Sequence, residues 1–249
     1  MRVGVVKSLN ARPLTWGFEK DNTVQKVYDT PKVLAEMLVA GELDTALISS
    51  VECLRHSDSL QYSLSVGVCA RTGVRSILYY KNLTESFPPS MISVDSGSRT
   101  SVALLELLFL LETGKKVITQ ADSPENIMKE ISKGSGHHML FGDNALNCSF
   151  NSDIFQVRDI AEWWFSLTGL HFIFALWAYP KAKPIEDKIF VSSLEYGLQN
   201  IDEIISSEKK FDSDFVRNYL QRELHYIPDQ KSLQGFEKFS ELLRSNNLL

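Results

Sequence analysis

Short apolar runs rich in valine and isoleucine alternate along this chain with segments whose apolar residues recur at helical spacing, and that alternation restricts the fold to the α/β class. Val3–Val6 reads as a first strand, and Pro13 opens a short helix at a position where its missing N–H costs nothing. Val24–Tyr28 is a second strand. Thr30-Pro31 then supplies an N-cap followed by proline, Leu34, Met37 and Leu38 form an apolar stripe, and Gly41 stops the helix. Thr45–Ile48 is a third strand, followed by a helix over Val51–His56. Tyr62, Leu64, Val66 and Val68 alternate with smaller or polar residues, which predicts a strand with two different faces, and Arg75–Tyr80 continues the sheet.

Phe87-Pro88-Pro89-Ser90 cannot be helix interior and marks the predicted crossover to a second lobe. A second series follows: strand Met91–Val94, helix Thr100–Thr113, strand Val117–Thr119, a helix capped by Ser123-Pro124, and strands Met139–Phe141 and Ile154–Val157. A helix over Ala161–Leu167 and a strand over Phe172–Ala178 complete it, and Pro180 and Pro184 mark the return. From Ile185 onward the pattern is wholly helical, in segments separated near Ser206–Ser213 and Ile227–Asp229.

In such sheets ligands sit beyond the carboxyl ends of the strands, so the loops after the strands are where chemistry belongs. After the first strand, Ser8 offers a hydroxyl and Asn10 both a donor and an acceptor, just before a helix start. After the third come Ser49 and Ser50; after Met91–Val94 comes Asp95-Ser96-Gly97-Ser98-Arg99-Thr100-Ser101. Each junction is a potential anion seat, because free backbone N–H groups and the helix dipole favour negative charge. A lone Ser-Ser pair is also what simple N-capping requires, whereas the Asp95–Ser101 block carries more hydroxyls than one cap uses, and an arginine besides.

Several function classes are excluded. Lys+Arg 26 against Asp+Glu 31 gives a net charge of −5 with no block of like charges, so no basic stripe for nucleic acid or an anionic membrane is visible, and the expected partner is a small molecule. Cys53, Cys69 and Cys148 are too scattered for a disulfide framework and read as reduced thiols. The N-terminal apolar run is too short for a secretion signal, and Val102–Leu111, interrupted by Glu106, is too short to span a membrane; a cytoplasmic protein is expected. His137 and His138 are adjacent and face opposite ways in a strand, while His56, His171 and His225 have no ligand-spaced companions, so no metal is expected. Neither phosphate-loop nor dinucleotide fingerprints occur, nor a G-x-S-x-G elbow. Glu162-Trp163-Trp164-Phe165 reads as core or cleft wall.

The same residues carry a family resemblance. Ser8-Leu9-Asn10-Ala11-Arg12-Pro13-Leu14 resembles the opening motif of the chorismate dehydratases of the futalosine route to menaquinone. Gly41-Glu42-Leu43-Asp44, Ser50-Val51-Glu52, Leu54-Arg55-His56, Val74-Arg75-Ser76-Ile77-Leu78 and the Asp95–Ser101 block are similar to later blocks of that family. So are Gly142-Asp143-x-Ala145-Leu146, Trp164-x-x-x-Thr168-Gly169-Leu170-x-Phe172, and, in the tail, Leu224-His225-Tyr226 with Gly235-Phe236 and Phe239. Departures fall at Ser49 and His171, where prolines are expected, at Cys53, where an aromatic is expected, and at Asp159-Ile160-Ala161; none touches Asn10 or Ser76.

The resemblance implies a type II periplasmic-binding-protein fold with a ligand cleft between two lobes, residues 1–86 with 181–249 forming one and 87–180 the other. It implies loss of water from chorismate to give 3-[(1-carboxyvinyl)oxy]benzoate, without metal or cofactor. Asn10 and Ser76 match the family's catalytic positions. Neither side chain titrates near neutrality, so the implied base is the substrate's own enolpyruvyl carboxylate. Thr100 and Ser101 are expected to hold a carboxylate, with Ser8, Ser49, Ser50, Ser98, Arg99 and Asn144 as further substrate contacts. Two other readings share the fold: 1,4-dihydroxy-6-naphthoate synthase of the same route, and a binding protein that holds a small anion unchanged.

Overall fold

The computed structural model describes all 249 residues and arranges them around two sheets. The first lobe begins with β1 (Arg2–Val5), α1 (Arg12–Lys20), β2 (Gln25–Tyr28), α2 (Pro31–Val39), β3 (Thr45–Ser49), α3 (Ser50–Arg55) and β4 (Leu60–Ala70). Thr30 caps α2 by accepting from the Val33 N–H, and Gly41 takes the left-handed conformation just past its end, as the local sequence requires. β1 lies parallel to both β2 and β3.

The chain then enters the second lobe: β5 (Ile77–Asn82), β6 (Met91–Asp95), α4 (Arg99–Thr113), β7 (Ile118–Asp122), α5 (Pro124–Lys133), β8 (His138–Phe141), α6 (Gly142–Asn147), β9 (Phe155–Asp159) and α7 (Ile160–Thr168). It returns through β10 (Phe172–Pro180), which runs antiparallel between β3 and β4. The sheet orders are β11-β4-β10-β3-β1-β2 and β7-β6-β8-β5-β9. β11 (Leu224–His225) lies on the edge of β4.

The lobe boundaries therefore differ from those expected at 86/87 and 180/181. β5 pairs with β8 and β9 in the second sheet, and β10 belongs to the first, so the crossovers lie at residues 71–76 and 169–171. The Phe87-Pro88-Pro89 stretch is a loop inside the second lobe, between β5 and β6. Prolines break local structure wherever they stand, whereas sheet membership is decided by partners far away in sequence. The β4 alternation also slips. Leu64 is 41% exposed, because the β4–β10 register shifts between the Leu176/Gly67 and Ala178/Tyr62 pairs.

The tail carries α8 (Lys188–Gln199), α9 (Ile201–Ser207), α10 (Ser213–Asn218), a π turn over Tyr219–Glu223, and α11 (Gln230–Ser245) after β11. It is thus not wholly helical, and Asn200 adds a break the sequence pattern did not reveal. No helix is long and apolar enough to cross a membrane.

A continuous buried core joins the lobes, from Val3 and Leu47 through Leu104 and Phe109 to Trp163 and Trp164. The aromatic run of α7 is core rather than cleft wall: Trp164 packs edge-on to Phe172 of β10 and Phe239 of α11, at 5.4 and 6.2 Å between ring centroids. α11 reaches this position because Gly235 lies directly against the crossover; a Cβ there would sit 1.9 Å from the His171 carbonyl oxygen. Gly235→Ala should therefore cost about 2–3 kcal/mol by overpacking, read as a lower urea midpoint at unchanged slope. An unchanged midpoint would show that α11 does not press on the crossover.

Candidate active site

Five helix starts approach one another between the lobes. At the end of β1 the chain stays extended at Ser8 and then makes a 3-10 turn over Leu9–Ala11. Ser8 Oγ donates to Asn10 Oδ1 at 2.6 Å. This bond fixes the amide and leaves both Asn10 Nδ2 hydrogens without a partner in the chain.

The cavity beside them measures about 470 Å³, its open mouth included, within the usual range for small-molecule sites. Val6, Leu47, Val68, Ile77, Phe141 and Phe174 supply apolar wall, and Ser8, Asn10, Ser49 and Ser98 the polar groups. No charged side chain lines it. Ser98 caps the fifteen-residue α4 by accepting from the Ser101 N–H, so the positive end of that dipole faces the cavity. The starts of α2, at Pro31, of α3, at Ser49, and of α6, at Gly142, also border it. Phe141 enters the wall because Gly97 has no side chain; a Cβ there would lie 2.8 Å from the ring. An outer cleft of about 740 Å³ shares Val6, Ser8, Pro31 and Phe141 and adds Lys7, whose ammonium lies 4.6 Å over the Tyr28 ring.

Ser76 stands one residue behind this wall, in the outward crossover and only 1% exposed. Its carbonyl accepts from Gly142 N–H at 2.6 Å, and its side chain neighbours the Tyr219 phenol, which burial holds above its ordinary pKa. Tyr219, Phe141 and Phe174 are residues that the sequence reading missed. Nothing local marks them, since each acquires its position from a lobe, strand or tail element remote in sequence.

The other expected substrate contacts lie off the cavity. Ser50 and Thr100 are fully buried against each other where α3 meets α4: Ser50 Oγ donates to Ile173 O at 2.7 Å, and Thr100 Oγ1 accepts from Val51 N–H at 3.0 Å. Ser101 is also buried, its hydroxyl 2.9 Å from that of Ser98. Arg99 points away and holds Glu52 and Glu36 of the first lobe, both at 2.6 Å. Asn144 donates to Asp95 Oδ2 at 3.3 Å, while Gly97 N–H bonds Oδ1. Burial pushes the Asp95 carboxyl above its usual pKa, against these two hydrogen bonds. Within the block, Ser98 caps α4 at the cavity, Ser101 bonds Ser98 locally, and Thr100 ties the helix to the first lobe.

Thr100→Val accordingly acts on stability. It leaves the buried Val51 N–H unpaired, a loss of about 1–3 kcal/mol, measurable by thermal or urea unfolding. Wild-type stability in that variant would refute the interlobe role.

Comparison with known proteins agrees with this architecture. Residues 1–245 match the family described as menaquinone biosynthesis. The chain belongs to that family. Among its curated relatives, a chorismate dehydratase of Thermus thermophilus is 26% identical over 264 residues, covering 97% of this chain and 94% of the relative. A chorismate dehydratase of Campylobacter jejuni is 26% identical over 247 residues, covering 96% and 92%. Of the solved structures, a protein of Archaeoglobus fulgidus aligns with TM-score 0.77 at 14% identity, over 100% of this chain and 98% of its own. The periplasmic aliphatic sulphonate binding protein of Escherichia coli aligns with TM-score 0.66 at 12% identity, over 100% and 92%. The family member described here thus has the two-lobed fold of periplasmic binding proteins.

Proposed function

We propose that this chain is a chorismate dehydratase, eliminating water from chorismate to give 3-[(1-carboxyvinyl)oxy]benzoate. The full-length family match and the two chorismate dehydratase relatives support this reading. The observation that carries it in the site is Asn10: an amide fixed through its oxygen, with two free N–H donors at an apolar-walled cavity.

Chorismate carries two carboxylates, and the cavity meets them without a charged side chain. Lys7 in the outer cleft attracts the dianion, and inside it the start of α4, with Ser98, and the hydroxyl of Ser49 offer donors. In the reaction the ring carbon bearing the enolpyruvyl ether loses its hydrogen, the neighbouring carbon loses its hydroxyl, and the ring becomes aromatic. The enolpyruvyl carboxylate takes the ring proton and passes it to the departing hydroxyl, which leaves as water, while the C–H bonding electrons form the new ring double bond. Negative charge develops on the ring as the C–H bond breaks, and the Asn10 amide hydrogens are assigned to stabilise it. Ser76, whose carbonyl accepts from Gly142 N–H, is assigned to hydrogen bonding at the reacting carbon or the leaving hydroxyl. Apolar walls exclude water and hold the flexible side chain over the ring, which supplies the proximity term.

The test is to mix the purified chain with chorismate and follow products by chromatography and absorbance. Appearance of the enolpyruvyl benzoate is the expected result. Saturable binding with chorismate unchanged would instead assign the chain to anion binding, and neither binding nor turnover would overturn the substrate.

A further inference from the structure

Outside the cavity the fold assembles a cluster that sequence spacing did not reveal. His171, His225 and Asp229, scattered along the tail half of the chain, each offer a ligand atom, and these atoms all lie within 4.8 Å of one another. His171 belongs to the return crossover, His225 to β11, and Asp229 to the start of α11.

From this juxtaposition we propose that His171, His225 and Asp229 form a binding site for a borderline divalent cation such as Zn²⁺ or Co²⁺. Two imidazoles and a carboxylate are the donor set that such ions prefer, whereas magnesium and calcium favour oxygen alone. His171 Nδ1 already lies 2.9 Å from each Asp229 oxygen, so an ion bridging them takes the place of that contact, with the imidazole hydrogen carried on Nε2. His225 has one nitrogen anchored and one bare: Nε2 lies 3.1 Å from Ser232 Oγ, while Nδ1 is buried with no partner. A metal-binding imidazole has this form, with the far nitrogen held by a hydrogen bond.

Each ligand is also held in place. Gly235 of α11 presses on the His171 carbonyl, and Phe165 stacks on the His171 ring at 6.2 Å. His225 is in register with Cys69 on the edge of the first sheet. Asp229 caps α11 through Ser232 N–H with Oδ1, so that Oδ2 takes no part in the cap. Donors held in place in this way meet an ion at little cost in ordering. The competing cation is Arg71, 3.9 Å from Asp229 Oδ2; it is 66% exposed and swings into solvent when the ion arrives. The bound ion fastens the return crossover to the tail, at the hinge between the lobes.

The test is titration of the intact chain with Co²⁺, read by its visible absorption bands, with Zn²⁺ competition and the thermal midpoint as second readouts. One equivalent of Co²⁺ per chain, displaced by Zn²⁺ that also raises the midpoint, is expected. Loss of a group that merely supports a ligand costs 10–100-fold in affinity, so His225→Gln and Asp229→Asn should each weaken binding by more than about a hundredfold. Asparagine still caps the helix, which keeps Asp229→Asn folded. Absence of Co²⁺ bands in the wild-type chain, or bands of equal affinity in both variants, would overturn the site.

Discussion

Asn10→Ala should lower chorismate turnover by two or more orders of magnitude, as loss of a preorganised donor to developing charge typically does, about 3 kcal/mol or more in the barrier. The side chain is half-buried, and its only internal bond is from Ser8, so the fold has little to lose and the thermal midpoint should stay near wild type. The loss is expected in kcat more than in KM, because the carboxylate seats at Ser98 and Ser49 remain. Asn10→Asp is the sharper variant. It keeps the shape and replaces the two donors by a carboxylate facing a dianion, so both kcat and affinity should fall. Near-wild-type turnover in Asn10→Ala would remove the residue from the mechanism.

Arg99→Ala should cost about 3 kcal/mol of stability, because it leaves a buried carboxylate short of its partner. Glu52 is wholly inaccessible to solvent, and Arg99, 28% exposed, bonds it across the lobe boundary at 2.6 Å. Arg55 and His56, which also reach Glu52 at 3.0 and 3.5 Å, belong to its own lobe and cannot replace that tie. Being largely out of solvent, the pair should lose little to added salt. A substrate-binding arginine would behave differently: its loss would raise KM strongly and leave the unfolding midpoint in place. Measuring both well below the variant's midpoint separates the two roles. A large rise in KM without destabilisation would return Arg99 to the ligand.

Much of the local architecture was legible before folding. Thr30 and Ser123 cap the helices that follow them, each by accepting a backbone N–H of the first turn, as short oxygen-bearing side chains do. The misplaced lobe boundary had a specific cause. Arg75–Tyr80 read as continuing the sheet from their own composition, but which sheet β5 joins depends on β8 and β9, which begin more than fifty residues later. The Asp95–Ser101 block shows the same limit in the site. Its hydroxyls, at Ser96, Ser98, Thr100 and Ser101, are spread around the start of α4, so they point in different directions, and only Ser98 lines the cavity.

The sequence by itself determined the α/β class, the helix starts beyond the strand ends, the family, and Asn10 with Ser8 as polar groups at the first of those starts. These follow from periodicity, capping and motif order, which are properties of neighbours along the chain. The tertiary structure alone decided that Arg99 binds Glu52 across the lobe boundary, that Tyr219 stands beside Ser76, and that His171 meets His225 and Asp229. Each of those contacts joins elements that only the packing of two sheets and a helical tail brings together, and no local pattern encodes it.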